Sequence, residues 1–559
     1  MDNYQIADNF SLLSKIMDIH GENGFKAKSY ASAAFAIEKL SIPLLDYPKE
    51  KIASLQGIGI STAQKIIELL ETGKLQALEN LLTNTPAGIV EMLQIKGIGP
   101  KKIHSIWKEM ELETIGELLY ACKENRLKLY KGFGEKTQQN VMQSIEFYFS
   151  NKGSFLYAQV LPIAASLQEF LKTVFPNVQL ALTGALPRQL ETIDQIEFLV
   201  ALDIQTIAAI LQTIPEFSIV SQTNNAITVN TTFHITVVFH QADTAQFIAR
   251  NIELCASSEF WNTLSATEKI NNNPITVEAD YFNQRQLPWI PAFLREDANL
   301  LQTITAAQID SIIQSTDIKG IIHCHSNWSD GNNTIEEMAL GAMELGLEYL
   351  VLSDHSKSAF YAQGLSVEKI IAQHQHIDAL NKKLSPFKIF KSIESDILND
   401  GQLDYEPEVL ALFDLVIASV HSNLKMTEDK AMMRLMTAIE NPFTTILGHM
   451  TGRLLLSRPG YPVSHKKIID ACAANDVAIE LNAHPSRLDI DWREINYALE
   501  KGVYISINPD AHSVSGLKDT VYGVSVAQKA RLQPQQNLSS LSLSEFENYL
   551  VQMRRNKSL

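Results

Sequence analysis

Cysteine is scarce in this chain of 559 residues: Cys122, Cys255, Cys324 and Cys472 are the whole complement, far apart and without a CxxC pair. That excludes a disulfide scaffold and a zinc ribbon, and it fits a reducing compartment. No apolar run approaches the roughly 18 residues of a membrane span. The opening Met-Asp-Asn-Tyr-Gln is acidic and polar, unlike a secretory signal. A cytoplasmic protein with no membrane partner is expected. An excess of positive charge is missing too. The formal net charge of -16 excludes a surface coated with cations for nucleic acid. The deficit is uneven, because residues 1–150 carry 17 Lys+Arg against 18 Asp+Glu and nearly all the surplus lies downstream. With 45% hydrophobic and 20% charged residues the chain is neither disordered nor membranous, and its length allows three to five domains.

Histidine is abundant and concentrated, with ten of fourteen between His323 and His512. Titratable nitrogen donors gathered in one third of a chain suggest metal chemistry. Three textures follow one another. From residue 5 to about 150, apolar positions recur at three- and four-residue spacing, which predicts helices. From 155 to 300 the pattern is mixed, with strands predicted at 179–183, 196–200, 226–229 and 233–238, then an irregular linker at 287–291. From 318 onward seven short apolar strands (319–323, 348–353, 388–394, 414–420, 444–448, 477–481 and 503–508) alternate with amphipathic helices. That alternation predicts a parallel sheet closed, or nearly closed, into a barrel. The last 25 residues read as a terminal helix with a short basic tail.

One motif occurs three times in the helical third: Gly57-Ile58-Gly59, Gly97-Ile98-Gly99 and Gly132-Phe133-Gly134, each followed by polar or basic residues. A Gly-x-Gly turn that opens a helix exposes successive backbone N–H groups, a cradle for phosphate. With Lys101, Lys102 and Lys136 alongside, the repeats point to sequence-independent binding of a DNA backbone, and they resemble helix-hairpin-helix motifs. The segment Gly24-Phe25-Lys26-Ala27-Lys28-Ser29-Tyr30 resembles the lyase-type domain of X-family DNA polymerases. By that resemblance Lys65 sits where the family can carry a Schiff-base lysine; a solvated helix lysine is the alternative.

The resemblance continues through Thr183-Gly184-Ala185-Leu186-Pro187-Arg188 and on to Glu191-Thr192-Ile193-Asp194-Gln195-Ile196-Glu197. In the family this stretch is the triphosphate-binding and catalytic part of the palm, ending in Asp-x-Asp, with a third aspartate on a neighbouring strand. Here Gln195 and Glu197 replace the pair, and His234 stands at the third position. Ala185, Pro187 and Ala256-Ser257-Ser258 depart from the pattern as well. Gln, Glu and His do not make a hard-oxygen two-metal site, so a palm fold without Mg²⁺ or polymerisation is expected.

The last third carries the densest signal. His323-Cys324-His325 ends the first barrel strand, and Asp330 follows in the next loop. Later strands end in Asp354-His355, Glu394-Ser395-Asp396, His421, His449 and Asp510-Ala511-His512. Barrel enzymes keep their chemistry at these strand ends, and nine distributed ligands imply a polynuclear catalytic centre. His374, His376 and His465 read as surface residues, and His484 ends the one strand without a matched ligand. The set resembles the polymerase-and-histidinol-phosphatase (PHP) domain, all of whose ligand positions are filled: His323, His325, Asp330, His355, Glu394, His421, His449, Asp510 and His512. Two or three ions of Mn²⁺ or Zn²⁺ are implied, with Arg453 and Arg487 as candidate phosphate contacts.

The whole chain is thus similar to bacterial X-family polymerases with a C-terminal PHP domain. The resemblance implies a helical lyase-type domain (1–85), a fingers-like domain with two hairpins (86–152), a degenerate nucleotidyltransferase-like palm (153–240), a thumb-like domain and linker (241–300), and a distorted (βα)7 PHP barrel (316–559). It also implies a DNA-repair 3'-5' exonuclease or phosphoesterase acting on gapped, nicked or 3'-ended DNA. The alternative is an active gap-filling polymerase with an associated nuclease.

Overall fold

The computed structural model describes every residue other than 1, 2, 39, 41, 151, 152 and 234, and every side chain but those of these residues and of 4, 147, 150 and 361. It contains two compact units: residues 1–123 with 127–148, and residues 124–126 with 149–559. No helix among the described residues is long and apolar enough to cross a membrane.

Among its described residues, the first unit forms helices and no strand. Helices Asn3–His20 and Gly24–Glu38 pack on one another through Phe10 and Tyr30, whose rings lie 5.9 Å apart. Ile6, Leu13 and Ile37 are fully or almost fully buried, as the three- and four-residue spacing requires. The three Gly-x-Gly turns lead into helices Ile60–Thr72, Pro100–Lys108 and Glu135–Ser150.

In the second unit, strands β1 (Leu180–Thr183), β2 (Gln195–Val200), β3 (Phe217–Gln222), β4 (Ala226–Thr231) and β5 (Thr236–Gln241) form a sheet in the order β1-β2-β5-β4-β3. Only the central pair β2–β5 is parallel. Two corrections to the sequence reading arise here. Strand β3, an edge strand with mostly exposed Ser and Gln side chains, lacks the apolar alternation that would announce it. The strand expected at 233–238 runs instead over Thr236–Gln241, and His234 lies outside the described residues. Beyond the sheet, Phe260, Phe282, Ile290 and Leu294 gather a small helical core that extends to Ile312. The 287–291 linker is irregular but anchored, because Ile290 is fully buried.

All seven expected barrel strands are present: β6 (Gly320–Cys324), β7 (Tyr349–Leu352), β8 (Lys388–Asp396), β9 (Leu415–Ser419), β10 (Ile446–Leu447), β11 (Ala478–Asn482) and β12 (Ile505–Asn508). They pair in chain order and in parallel. A bridge between Cys324 and Ala511, with His325 N donating to Ala511 O at 2.9 Å, brings β12 back against β6. Burial on both faces explains continuous apolar runs such as Tyr349-Leu350-Val351-Leu352. Side chains cap the helices that follow the strand-end loops, among them Thr334 with Glu337 before Ile335–Glu344, Thr427 before Glu428–Ile439 and Asp491 before Trp492–Glu500. These caps fix where each strand-end loop stops. The other end of the barrel is closed by helix Leu543–Asn556, whose Phe546 stacks on Tyr349 at 4.8 Å.

Candidate functional site

The C-terminal ends of the barrel strands bring all nine expected ligands together. The Glu394 carboxylate is their hub. Its Oε1 lies 3.3 Å from His323 Nε2 and 3.1 Å from both His421 Nε2 and His449 Nε2, while Oε2 lies 3.0 Å from His355 Nδ1. Asp510 Oδ1 is 3.0 Å from His325 Nε2 and 3.3 Å from His323 Nε2. Asp330 reaches His355 at 3.5 Å and His512 at 3.4 Å. His323 and Asp510 hold left-handed backbone conformations, φ 69° and 51°, the kind of strain that concentrates at functional sites.

Three overlapping sets could each hold a cation: His325, Asp330, His355 and His512; His323, His325 and Asp510; His355, Glu394 and His421. Within each set the donor atoms lie within 4.8 Å of one another. His323 Nε2, His512 Nε2 and Asp330 Oδ2 are buried without a hydrogen bond. Orphaned polar atoms are costly in a dry interior, and imidazole with carboxylate suits a borderline divalent metal, so the residues fit such ions.

The electrostatics agree with this geometry. Burial alone would raise the Glu394 carboxyl, but His421, His323 and His355 outweigh it and hold Glu394 well below the usual range. Asp330 and Asp510 are likewise held low against burial by their histidines. Burial opposes charge on His421, yet Glu394 and Asp396 push it up to about 9. Burial and the neighbouring rings of His512 and His355 lower His325 to about 3.

Sequence reading missed the groups behind the ligands. The strand taken to lack a matched ligand contributes Glu480, wholly buried, which pairs with His323 Nδ1 at 2.6 Å and accepts from His449 N at 3.0 Å. It also accepts from Asn482 Nδ2 at 3.0 Å and Asn508 Nδ2 at 2.8 Å. Accepting a hydrogen bond from His323 Nδ1–H keeps the proton on Nδ1 and leaves Nε2 with a lone pair for an ion. Asp396 does the same for His421, at 2.5 Å. Asp354 accepts from Ser326, Ser329 and Gln373, which fixes the turn that presents Asp330. A buried carboxylate one or two positions from a ligand on a strand end was the available signal, in Glu394-Ser395-Asp396 and Asp354-His355.

The two arginines part company. Arg487 is buried with its Nε 3.9 Å from Asp510 Oδ2, beside the ligand cluster. Arg453 is a correction to the phosphate-contact expectation. Its guanidinium is spent on Asp491 (2.9 Å), Glu191 (2.7 Å) and the carbonyls of Arg487 (2.9 Å) and Leu488. His374 is another correction: it is half-buried, its ring edge-on to Phe413 at 5.1 Å, where a surface position was expected. His465, also expected at the surface, is half-buried as well; His376 is exposed as expected, and His484 is half-buried.

In the five-stranded sheet, register places Val238 opposite Glu197 and Thr236 opposite Gln195. The neighbour that touches Glu197 is His240, at 2.8 Å, and β5 holds no carboxylate. Gly184 leaves room for the Glu197 side chain, whose Oε1 would collide with a Cβ at that position. Arg188 is bound by both oxygens of Glu296 at 2.7 Å, and Ser257 caps helix Ser258–Ala266.

The three hairpins share one geometry. Gly57, Gly97 and Gly132 have φ of 84°, 95° and 91°, conformations an L-residue resists. Between the glycines, Ile58, Ile98 and Phe133 are buried, which turns the glycine backbone outward. A Cβ at Gly59, Gly99 or Gly134 would meet nothing within 4 Å. Lys101 and Lys136 are exposed, and Lys102 Nζ donates to Gly97 O at 3.3 Å. Lys65 is half-buried in helix Ile60–Thr72.

A seven-stranded barrel with this ligand mouth defines a PHP-domain protein, and the PHP domain family matches residues 322–484. The helix-hairpin-helix domain family matches residues 1–75, and the SAM-like helix-hairpin-helix tandem matches residues 89–146. Over 558 residues the chain is 32% identical to the DNA polymerase/3'-5' exonuclease PolX of Bacillus subtilis (strain 168), spanning 96% of each chain. The chain belongs to the X-family DNA polymerases with a C-terminal PHP domain. It is also similar to a probable phosphatase of Caldicellulosiruptor bescii, 27% identical over 205 residues, covering 34% of this chain and 78% of that protein. A probable phosphatase of Vibrio atlanticus (strain LGP32) is 27% identical over 251 residues, covering 41% of this chain and 94% of its own.

Proposed function

We propose that the chain is a DNA-repair enzyme whose barrel trims DNA from the 3' end as a metal-dependent 3'-5' exonuclease, and whose palm binds DNA without polymerising it. The observation that carries this reading is the contrast between the two centres. The barrel mouth gathers nine buried ligands, with Glu394 shared among His323, His355, His421 and His449. The palm pairs Glu197 with His240, and Val238 faces Glu197 in register.

In this reading His323, His325, Asp330, His355, Glu394, His421, His449, Asp510 and His512 hold two or three divalent ions, Mn²⁺ or Zn²⁺. Such ions supply Lewis acidity toward phosphoryl oxygens and acidify water near neutral pH. The protein's own part is orientation. Glu480 and Asp396 set the tautomers of His323 and His421, and Asp354 holds the Asp330 turn. In the same reading Arg487, whose Nε lies 3.9 Å from Asp510 Oδ2, contacts a phosphate at the site. The exposed glycine turns with Lys101, Lys102 and Lys136 hold gapped, nicked or 3'-ended duplex by its backbone, whatever its sequence. A cytoplasmic location belongs to this reading, supported by the DNA substrate and by four cysteines that form no disulfide pair.

The test uses nuclease-dead protein. In the His323→Ala chain, labelled dNTP on a gapped duplex should give no extension under Mg²⁺ or Mn²⁺. Template-directed extension there would overturn the loss of polymerisation and favour a gap-filling polymerase with an associated nuclease.

A further inference from the structure

Glu191 belongs to the palm, in the segment that leads into β2, yet its partner is in the barrel. Its Oε1 accepts from Arg453 Nη2 at 2.7 Å, with side chains only 16% and 15% exposed. Arg453 stands four residues after the ligand His449 and holds one segment of chain. Its Nε donates to Arg487 O at 2.9 Å, Nη1 to Asp491 Oδ2 at 2.9 Å, and Nη2 also to Leu488 O.

That segment in turn reaches the ligands from two sides. Asp489 Oδ2 accepts from Thr451 N at 2.9 Å and Thr451 Oγ1 at 2.8 Å, two residues beyond His449. Asp489 O accepts from Asn482 N at 2.6 Å, and Asn482 Nδ2 donates to Asp510 Oδ2 at 3.1 Å. Arg487 sits 3.9 Å from the same Asp510 oxygen. Among the described residues that accept from the Arg453 guanidinium, Glu191 is the one supplied from outside the barrel.

We propose that Glu191 is a positioning residue for the phosphoesterase site: a palm carboxylate that fixes the Arg453 fork, and through it the 487–491 segment, against Asp510 and His449. This rests on the barrel mouth being the nuclease site. A planar guanidinium shared among several acceptors loses its aim when one charged acceptor is removed, because the remaining bonds no longer fix its plane. The palm keeps other ties to the barrel nearby. Lys529, 1% exposed, donates to Arg188 O at 2.7 Å, and Gln189 contacts Gln528 at 3.2 Å. Losing Glu191 therefore alters the Arg453 fork without opening the seam.

The experiment is steady-state degradation of 3'-labelled duplex by the full-length chain in saturating Mn²⁺. Glu191→Gln should lower kcat roughly tenfold, the order seen when a group behind a metal ligand is lost. KM for DNA and the unfolding temperature should stay at the wild-type values. Introduced into an Arg453→Gln chain, Glu191→Gln should cost nothing further, because its effect runs through Arg453. A wild-type kcat for Glu191→Gln, or the same loss with and without Arg453, overturns the proposal. His323→Ala separates the two ideas: if it degrades DNA at full rate, the nuclease reading itself fails. If it is inactive while Glu191→Gln runs at full rate, only the positioning role fails.

Discussion

Replacing Glu480 by Gln should weaken metal uptake by about as much free energy as it takes from the fold. The carboxylate takes four donors: His323 Nδ1 and Asn508 Nδ2 on one oxygen, His449 N and Asn482 Nδ2 on the other. A glutamine has one oxygen and one NH₂ for these places. With the NH₂ toward His323, it donates to Nδ1 and moves the ring proton to Nε2, the atom that must carry a lone pair to hold an ion. With the NH₂ toward His449, it faces both His449 N and Asn482 Nδ2; Asn482 keeps Asp510 as an acceptor, and the buried His449 N–H goes unpaired. The first arrangement removes a ligand; the second costs about 1–3 kcal/mol of stability. Loss of such a supporting group typically costs 10–100-fold in metal affinity, roughly 1.4–2.7 kcal/mol. The half-saturating Mn²⁺ concentration for exonuclease activity should therefore rise about 10–100-fold. Calorimetric Mn²⁺ binding should shift in step. An unchanged half-saturation in a folded Glu480→Gln protein would refute the argument that Glu480 sets the His323 tautomer.

The hairpin glycines separate conformational from contact effects. Gly97, at φ 95°, should lose about 1–2 kcal/mol of stability when replaced by Ala. Gly99, with nothing within 4 Å of a Cβ, should keep its unfolding midpoint yet bind DNA more weakly on every sequence and at every salt concentration; unaltered binding would contradict the exposed-backbone account. The buried side of His374 supplies a pH prediction. Burial and nearby Lys391 lower its pKa to about 4, so the unfolded chain binds its proton from pH 6.5 downward while the folded chain resists. Its stabilising contribution is whole above pH 6.5 and is lost as the pH falls toward 4. His374→Gln should flatten that part of the denaturation-midpoint profile of metal-free protein; coincident profiles would contradict it.

The barrel was legible in the sequence because its strands are buried on both faces and its ligands sit at their ends. Apolar runs such as Leu415-Val416-Ile417-Ala418 need no alternation to be seen when each closes on a His, Asp or Glu, as this one closes on His421. What stayed hidden depends on partners distant in the chain. Glu480 looks like one more strand residue until the fold brings it against His323, 157 residues earlier. Arg453 has the composition of a phosphate contact, and only the fold reveals that Glu191 and Asp491 already occupy it. In the five-stranded sheet, the edge strand Phe217–Gln222 is half polar and gave no pattern, and the displaced strand Thr236–Gln241 is apolar on both sides of the expected end at Val238, so periodicity could not set where it stops.

The central claim, that the barrel mouth degrades DNA from the 3' end while the palm adds nothing, is tested most directly by one Mn²⁺ titration. Purified protein is incubated with a 5'-labelled primer on a longer template, with and without dNTPs. The account predicts a ladder of primers shortened from the 3' end, growing with Mn²⁺, abolished by Asp510→Ala and identical in both dNTP conditions. Primers that lengthen when dNTPs are added, or that stay intact at every Mn²⁺ concentration, would contradict it.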